Sequence, residues 1–278
     1  MSEIHLNLSP TSSDEPESAQ ADLDDIKLPL GLRIDRLILQ DLLVERPPQA
    51  PQRMDRLQLQ AWSEGDRLRI DQFDLATPEL ALQAEGQVGI AAPWVMALAL
   101  NWRYQHPELA PQAGLGRISG DLQGLQIEQT LSGLLNGEVQ ARLSKPIENL
   151  SWEASARLQP NELSEWLTDF PLQVGGELSS RGNLKQIGLE ADLVIDSPEH
   201  GEAALTFKGG FADGRLDAER LHLETPLGSQ LDLSGHFEPG DGQGRFDTLV
   251  AWQDLRWPLQ GETPQVTSQK GRLTLSGT

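Results

Sequence analysis

The sequence predicts an all-β chain: an antiparallel sheet with one apolar face and one short helix. From Ile26 onward, apolar residues recur at every second position in run after run, which is the period of a strand. Turn-forming stretches such as SEGD, FADGR and EPGDGQG separate these runs at short spacing, which favours hairpins over the long crossovers that parallel pairs require. Helical spacing occurs in a single segment, PNELSEWLTDFP.

Residues 1–25 are rich in Ser, Glu, Asp and Pro from Ser9 onward and have little to bury, so a disordered or loosely ordered acidic segment is expected. Residues 26–278 then read as repeated antiparallel strands, with possible sub-units at 26–113, 114–174 and 175–278. In the first half, Leu37 and Leu39 share a face, followed by Leu57, Leu59 and Ala61 with Gln58 and Gln60 opposite. Leu68 and Ile70 go together, then Phe73 and Leu75. Leu80, Leu82 and Ala84 stand opposite Gln83 and Glu85, and the run from Trp94 to Tyr104 aligns Met96, Leu98, Leu100 and Trp102. The second half repeats the habit with Trp152 to Leu158, Ile187 to Ile195, Ala203 to Phe207, Leu231 with Leu233, and Val250 with Trp252. The expected helix starts at Asn161 as cap, has Leu163, Trp166 and Leu167 at helical spacing, and stops at Pro171.

An internal repeat links the halves. Arg67–Gly86 matches Arg215–Gly235: Leu68, Phe73, Leu75, Thr77 and Pro78 align with Leu216, Leu221, Leu223, Thr225 and Pro226. One inserted residue later, Leu82 and Gly86 meet Leu231 and Gly235. Each copy is followed by a Trp-containing strand and a Gly-x-[Leu/Ile] hairpin, at Gly116 and Gly271, and a similar hairpin starts near Gly175. Such repetition suits an architecture that grows by adding hairpins, each contacting mainly its neighbours.

Composition narrows the function. The formal charge of −20 repels phosphates at long range, and no run of Lys or Arg offsets it, so nucleic-acid binding is excluded. There is no cysteine, hence no disulfide, thiolate metal site or cysteine nucleophile. No GxSxG, HExxH or strand–GxGxxG–helix motif is present. His5, His106, His200, His222 and His236 are scattered, and the EPGDGQG loop lacks the carboxylate spacing of a calcium site. Carboxylate pairs such as Asp71 and Asp74 read as solvated charge. The chain is therefore expected to be no enzyme and to hold no catalytic residue, metal or cofactor. The N-terminus has neither a basic nor an apolar signal region, and the least polar stretch, Val88–Leu100, is broken by Pro93. With a strand just begun in its last residues, the chain reads as a piece of a longer protein whose anchor lies elsewhere.

One apolar face has to be hidden, whether by a second sheet, by closure into a barrel, or by a ligand lying in a trough. Many inward positions are Ala or isolated Leu, with seven Trp, six Phe and one Tyr to fill space, and this leans toward a trough.

Val250–Gly261, VAWQDLRWPLQG, resembles the Trp-containing strand and WPL-type exit turn of the TamB-like proteins of the AsmA-like superfamily. Leu131–Ser144 and Ile147–Pro160 are similar to successive strands of that family, and the likeness extends over nearly all of the chain after Ile26. The resemblance implies an elongated, curled antiparallel sheet, a β-taco or repeating β-groove with an apolar interior. It also implies a periplasmic segment of an inner-membrane-anchored protein, no nucleic acid among its partners, and an outer-membrane barrel, TamA, engaged through regions outside this chain. On that reading the groove carries phospholipid from inner to outer membrane, and acyl chains are lined by Leu80, Leu82, Leu98, Leu100, Trp102, Leu189, Leu193, Leu205, Leu231 and Leu233. The alternative is a chaperone-like scaffold that assists unfolded outer-membrane proteins or autotransporters by strand addition at a sheet edge.

Overall fold

Alternating side chains commit almost every described residue to strand. A computed structural model describes residues 6–7, 31–45, 52–106, 109–147, 149–163, 172–198, 201–239, 244–257 and 264–277. The strands divide between two units, one comprising 1–133 and 143–149, the other 134–142 and 150–278.

The first unit is a meander of β2 (Arg33–Glu45), β3 (Gln52–Glu64), β4 (Arg67–Ala76), β5 (Leu80–Gly89), β6 (Met96–Tyr104), β7 (Gln112–Gly120) and β8 (Gly124–Gly133). Each strand pairs antiparallel with the next, and the short β1 (Leu6–Asn7) runs parallel to β2. The second unit runs through β10 (Ser151–Glu162), β11 (Gln173–Asn183), β12 (Gln186–Ser197) and β13 (Gly201–Ala212). It continues with β14 (Arg215–Glu224), β15 (Gln230–Glu238), β16 (Arg245–Trp257) and β17 (Val266–Gly277), again all antiparallel neighbours. In β9 (Gly137–Ser144), the residues up to Arg142 belong to this second unit, where the strand pairs with β10.

Tight turns set the register. Between β13 and β14 the Asp213–Gly214 pair has φ of 51° and 77°, the two left-handed residues of a type I′ hairpin whose twist matches that of the strands. Thr77 closes the β4–β5 turn: its N–H donates to Leu80 O at 2.8 Å, and its Oγ1 accepts from Leu80 N at 3.0 Å. Thr225 closes β14–β15 in the same way through Ser229, one residue further on, at 3.0 and 3.1 Å. The inserted residue of the sequence repeat is therefore an extra turn residue. The bulges coincide as well. Asp71 and Gln72 oppose Glu85 in one copy, and Glu219 and Arg220 oppose Ser234 in the other.

The expected short helix is not observed. The described residues contain only strands, turns and bends, and Asn161 and Glu162, where the helix was to begin, are the last residues of β10. The rest of that segment, 164–171, lies outside the described residues, as do most of 1–25 and, within the EPGDGQG loop, residues 240–243. Asn161 is strand because its side chain is satisfied at long range. Its Oδ1 accepts from Asn136 N at 2.5 Å and its Nδ2 donates to Asn136 O at 3.2 Å, which leaves it 2% exposed. Pro160, a poor strand residue, sits in the register shift between Leu158 and Asn161, where no ladder hydrogen bond is demanded of it.

Candidate functional site

Residues directly opposite each other in neighbouring strands point to the same face, so the registers assemble into rungs running across each sheet. In the first unit one rung reads Leu39, Leu57, Leu75, Leu82, Trp102, Gly114, Leu131 from β2 to β8. The next reads Leu37, Leu59, Phe73, Ala84, Leu100, Gly116, Gln129, and a third passes through Ile70, Leu98, Ile118 and Ile127. In the second unit one rung runs Leu158, Gly176, Leu193, Leu205, Leu223, Leu231, Trp252, Gly271 from β10 to β17. Beside it lie Ala156, Leu178, Ala191, Phe207, Leu221, Leu233, Val250 and Leu273.

All ten residues predicted to line an apolar surface stand on these two faces. Leu80, Leu82, Leu98, Leu100 and Trp102 belong to the first, and Leu189, Leu193, Leu205, Leu231 and Leu233 to the second. Neither face is a closed core. Among the described residues the buried hydrophobic side chains are Leu42, Ala61, Ala191 and Ala203. The larger residues of the rungs stay partly open: Leu189 is 38% exposed and Leu273 46%.

Three tryptophans stand opposite or against a glycine and donate to a polar neighbour, which alternation alone did not reveal, and for Trp102 and Trp252 the ring lies over that glycine. Trp102 stands opposite Gly114, where a Cβ would overlap the indole, and its Nε1–H donates to Gln129 Oε1 at 3.1 Å on the next strand. Trp252 lies against Gly271 and donates to Ser268 Oγ at 2.8 Å, and Trp152, opposite Gly182, donates to Ser180 Oγ at 3.1 Å. A glycine opposite an aromatic residue lets the ring lie flat on the sheet, and the polar neighbour satisfies the indole N–H within an otherwise apolar surface. The Gly-x-[Leu/Ile] hairpins at Gly116 and Gly271 contain or adjoin these glycines, so that motif marks where a tryptophan lies down.

The opposite faces are polar and cross-linked. In the first unit Gln58 Nε2 donates to Gln72 Oε1 at 3.0 Å, Gln72 donates to Asp74, and Gln83 Nε2 donates to Asp74 Oδ1 at 3.0 Å. A depression of about 620 Å³ is lined by the polar and charged Arg56, Asp74, Gln83, Asn101 and Arg103 together with Leu75, Leu82 and Trp102. In the second unit Arg157 meets Glu177 at 2.8 Å, and this hydrogen bond and charge hold the guanidinium pKa above its ordinary value. His222 Nδ1 is 2.8 Å from Asp232 Oδ1. His222 and His236 do not face each other: each is opposite an aspartate, Asp232 and Asp217. No group of three or more His, Cys, Asp or Glu suited to a metal occurs among the described residues, and His5 and His200 lie outside them.

Rung-ordered apolar faces built from successive antiparallel strands match the architecture the sequence resembled. The profile described as TamB, N-terminal domain, matches residues 5–238. The chain belongs to the TamB family. Its members are non-catalytic scaffolds, and this chain is a groove-type scaffold of that kind. The match takes in Leu131–Ser144 and Ile147–Pro160 and ends before Val250–Gly261. No curated protein and no solved structure matches the chain. Among the described residues no helix is long and apolar enough to cross a membrane.

Proposed function

We propose that the apolar faces carry the acyl chains of phospholipid, so that this chain lines part of a conduit from inner to outer membrane. In this reading the chain lies in the periplasm as part of an inner-membrane-anchored protein, and its outer-membrane partner is a TamA-type barrel bound through other regions. The observation that supports it is the partly exposed state of the Leu, Ile, Phe and Trp side chains along the rungs, with so few hydrophobic side chains fully buried among the described residues. An apolar surface of this extent is costly to leave in water and is filled by something apolar.

The dimensions suit a lipid tail. Residues two apart on a strand are about 6.7 Å apart, so four rungs span about 20 Å along the strands. That is somewhat more than the ~15 Å depth of one leaflet of a bilayer's hydrocarbon core. A tail lying along the strands therefore fits on the face, and successive strands offer equivalent seats about 4.8 Å apart. Because apolar contacts are non-directional, moving from one seat to the next breaks no specific bond.

A photo-crosslinking residue at Leu82, and separately at Gln83, in the parent protein in living cells tests the proposal. Phospholipid adducts at Leu82 and not at Gln83 are expected. Their absence at Leu82 and at other inward positions, despite good expression, refutes the conduit. Protein adducts in their place would favour the chaperone-like scaffold.

A further inference from the structure

The only Asn-Gly dipeptide of the sequence is Asn136–Gly137, and Gly137 is the first residue of β9. Asparagine followed by glycine is the pair most open to loss of the side-chain amide, because a residue without Cβ lets its nitrogen reach the asparagine Cγ. Packing imposes the glycine. A Cβ at 137 would stand 2.4 Å from Arg157 O and 3.1 Å from Leu158 Cα on β10. The fold therefore cannot remove the hazard by changing residue 137, and it has to be met at residue 136.

Asn136 is tied at three atoms to one side chain, Asn161 near the end of β10, which is 2% exposed. Asn161 Oδ1 accepts from Asn136 N at 2.5 Å and from Asn136 Nδ2 at 3.0 Å. Its Nδ2 donates to Asn136 O at 3.2 Å and to Gln159 O at 2.5 Å. The backbone fixes which way this amide points, since two carbonyls face its nitrogen and a main-chain N–H faces its oxygen. For Gly137 N to reach Asn136 Cγ, the Asn136 carboxamide has to turn and its Nδ2 has to leave. Asn161 opposes both movements.

We propose that Asn136 is a deamidation site that Asn161 holds closed. When the start of β9 parts from β10, Gly137 N attacks Asn136 Cγ. The new N–Cγ bond closes a succinimide ring, the Cγ–Nδ2 bond breaks, and ammonia leaves carrying the proton of the Gly137 N–H. Water then opens the ring at either carbonyl to give aspartate or isoaspartate, so the net change is amide and water to acid and ammonia. Neither product rebuilds the contact. Aspartate at 136 turns an oxygen toward Asn161 Oδ1 where a donor stood. Turning the Asn161 amide over to answer it would set an NH2 against Asn136 N–H and strip the carbonyls of Asn136 and Gln159 of their donor. Isoaspartate inserts a methylene into the main chain where β9 begins. The change is one-way, and it accumulates with each local opening of this end of the second unit.

The test is to incubate the full chain at mildly alkaline pH and follow peptides spanning residues 136 and 137 by chromatography and mass spectrometry, which separate amide, aspartate and isoaspartate. Native wild type is expected to deamidate at least roughly tenfold more slowly than the urea-unfolded chain, because reaction then waits on opening. Folded Asn161→Ala is expected to react at least about tenfold faster than wild type brought to the same stability with urea. Matching the stabilities separates a guard on Asn136 from a general loss of stability. Asn161→Leu, which fills a similar space without the hydrogen bonds, makes the same comparison if the alanine variant does not fold. A native wild type that reacts as fast as the unfolded chain overturns the proposal, as does a folded variant no faster than its stability-matched wild type.

Discussion

Truncating one floor leucine separates an open apolar face from a covered one. Leu189 stands opposite Ser180 and Gly209 on the apolar face and is 38% exposed. Burying a whole leucine side chain contributes about 1.5–3 kcal/mol, and here roughly three-fifths of that is realised. Leu189→Ala keeps the Cβ, so the expected loss in lipid-free protein is about 1 kcal/mol. No cavity penalty is added, because the vacated space opens to solvent. In a closed core the same truncation costs about 2–5 kcal/mol, part of it from the void left behind. Urea unfolding followed by circular dichroism and tryptophan fluorescence together distinguishes these. With a slope near ~3 kcal/mol/M, the open face predicts a midpoint shift of about 0.3 M and a covered face about 0.7–1.7 M. Repeating the titration with saturating phospholipid should widen the gap between wild type and Leu189→Ala, because the ligand then covers the deleted atoms. A loss above about 2 kcal/mol without lipid, at Leu189 and again at Leu273, refutes the open face.

Other substitutions test separate parts of the construction. Gly114→Val pushes the Trp102 indole off the sheet and breaks its bond to Gln129, so a loss of about 2–3 kcal/mol and a red-shifted tryptophan emission are expected. Asn161→Ala removes a buried amide together with its hydrogen bonds to Asn136 and Gln159 and should cost about 1–3 kcal/mol in urea unfolding. Leu205→Lys, on the apolar face, should abolish lipid adducts in cells, whereas its outward neighbour Thr206→Lys should leave them and the expression level unchanged.

The alternation of side chains made the faces legible, because a strand's period is local and each run carries it independently. The break between Leu68–Ile70 and Phe73–Leu75 even marked a bulge, since two residues there oppose one and the parity shifts. The Thr-Pro pairs of the sequence repeat coincide with two turns, each closed by its threonine hydroxyl. What was not legible depended on distant partners. The spacing of Leu163, Trp166 and Leu167 after Asn161 suggested a helix, but Asn161 is held in β10 by Asn136, 25 residues away, a relation that no local period encodes. The tryptophans could be placed on a face but not oriented, because a flat indole requires a glycine on the adjacent strand in the correct register. The family was legible for a further reason: successive hairpins with similar faces leave the same periodic trace along most of the matched residues, 5–238.

A sheet that buries so few hydrophobic side chains needs another source of stability, and its polar faces supply one. Every rung adds main-chain hydrogen bonds, and cross-strand pairs such as Arg117–Glu128 at 2.7 Å add about 0.2–1 kcal/mol each. The chain can thus hold its strands in register without consuming the apolar face in a core. What remains unburied on that face is free energy still available to a ligand. The more open leucines of the rungs, such as Leu189 at 38% exposure, keep on the order of 0.6–1.2 kcal/mol for whatever covers them. Spread over several rungs, that is enough to hold an acyl chain. Because it is distributed over many weak and similar contacts, no single position becomes a trap. A compact core filled by its own side chains would be more stable and could carry nothing, so under the proposed function the partly buried leucines are what leaves room for a ligand.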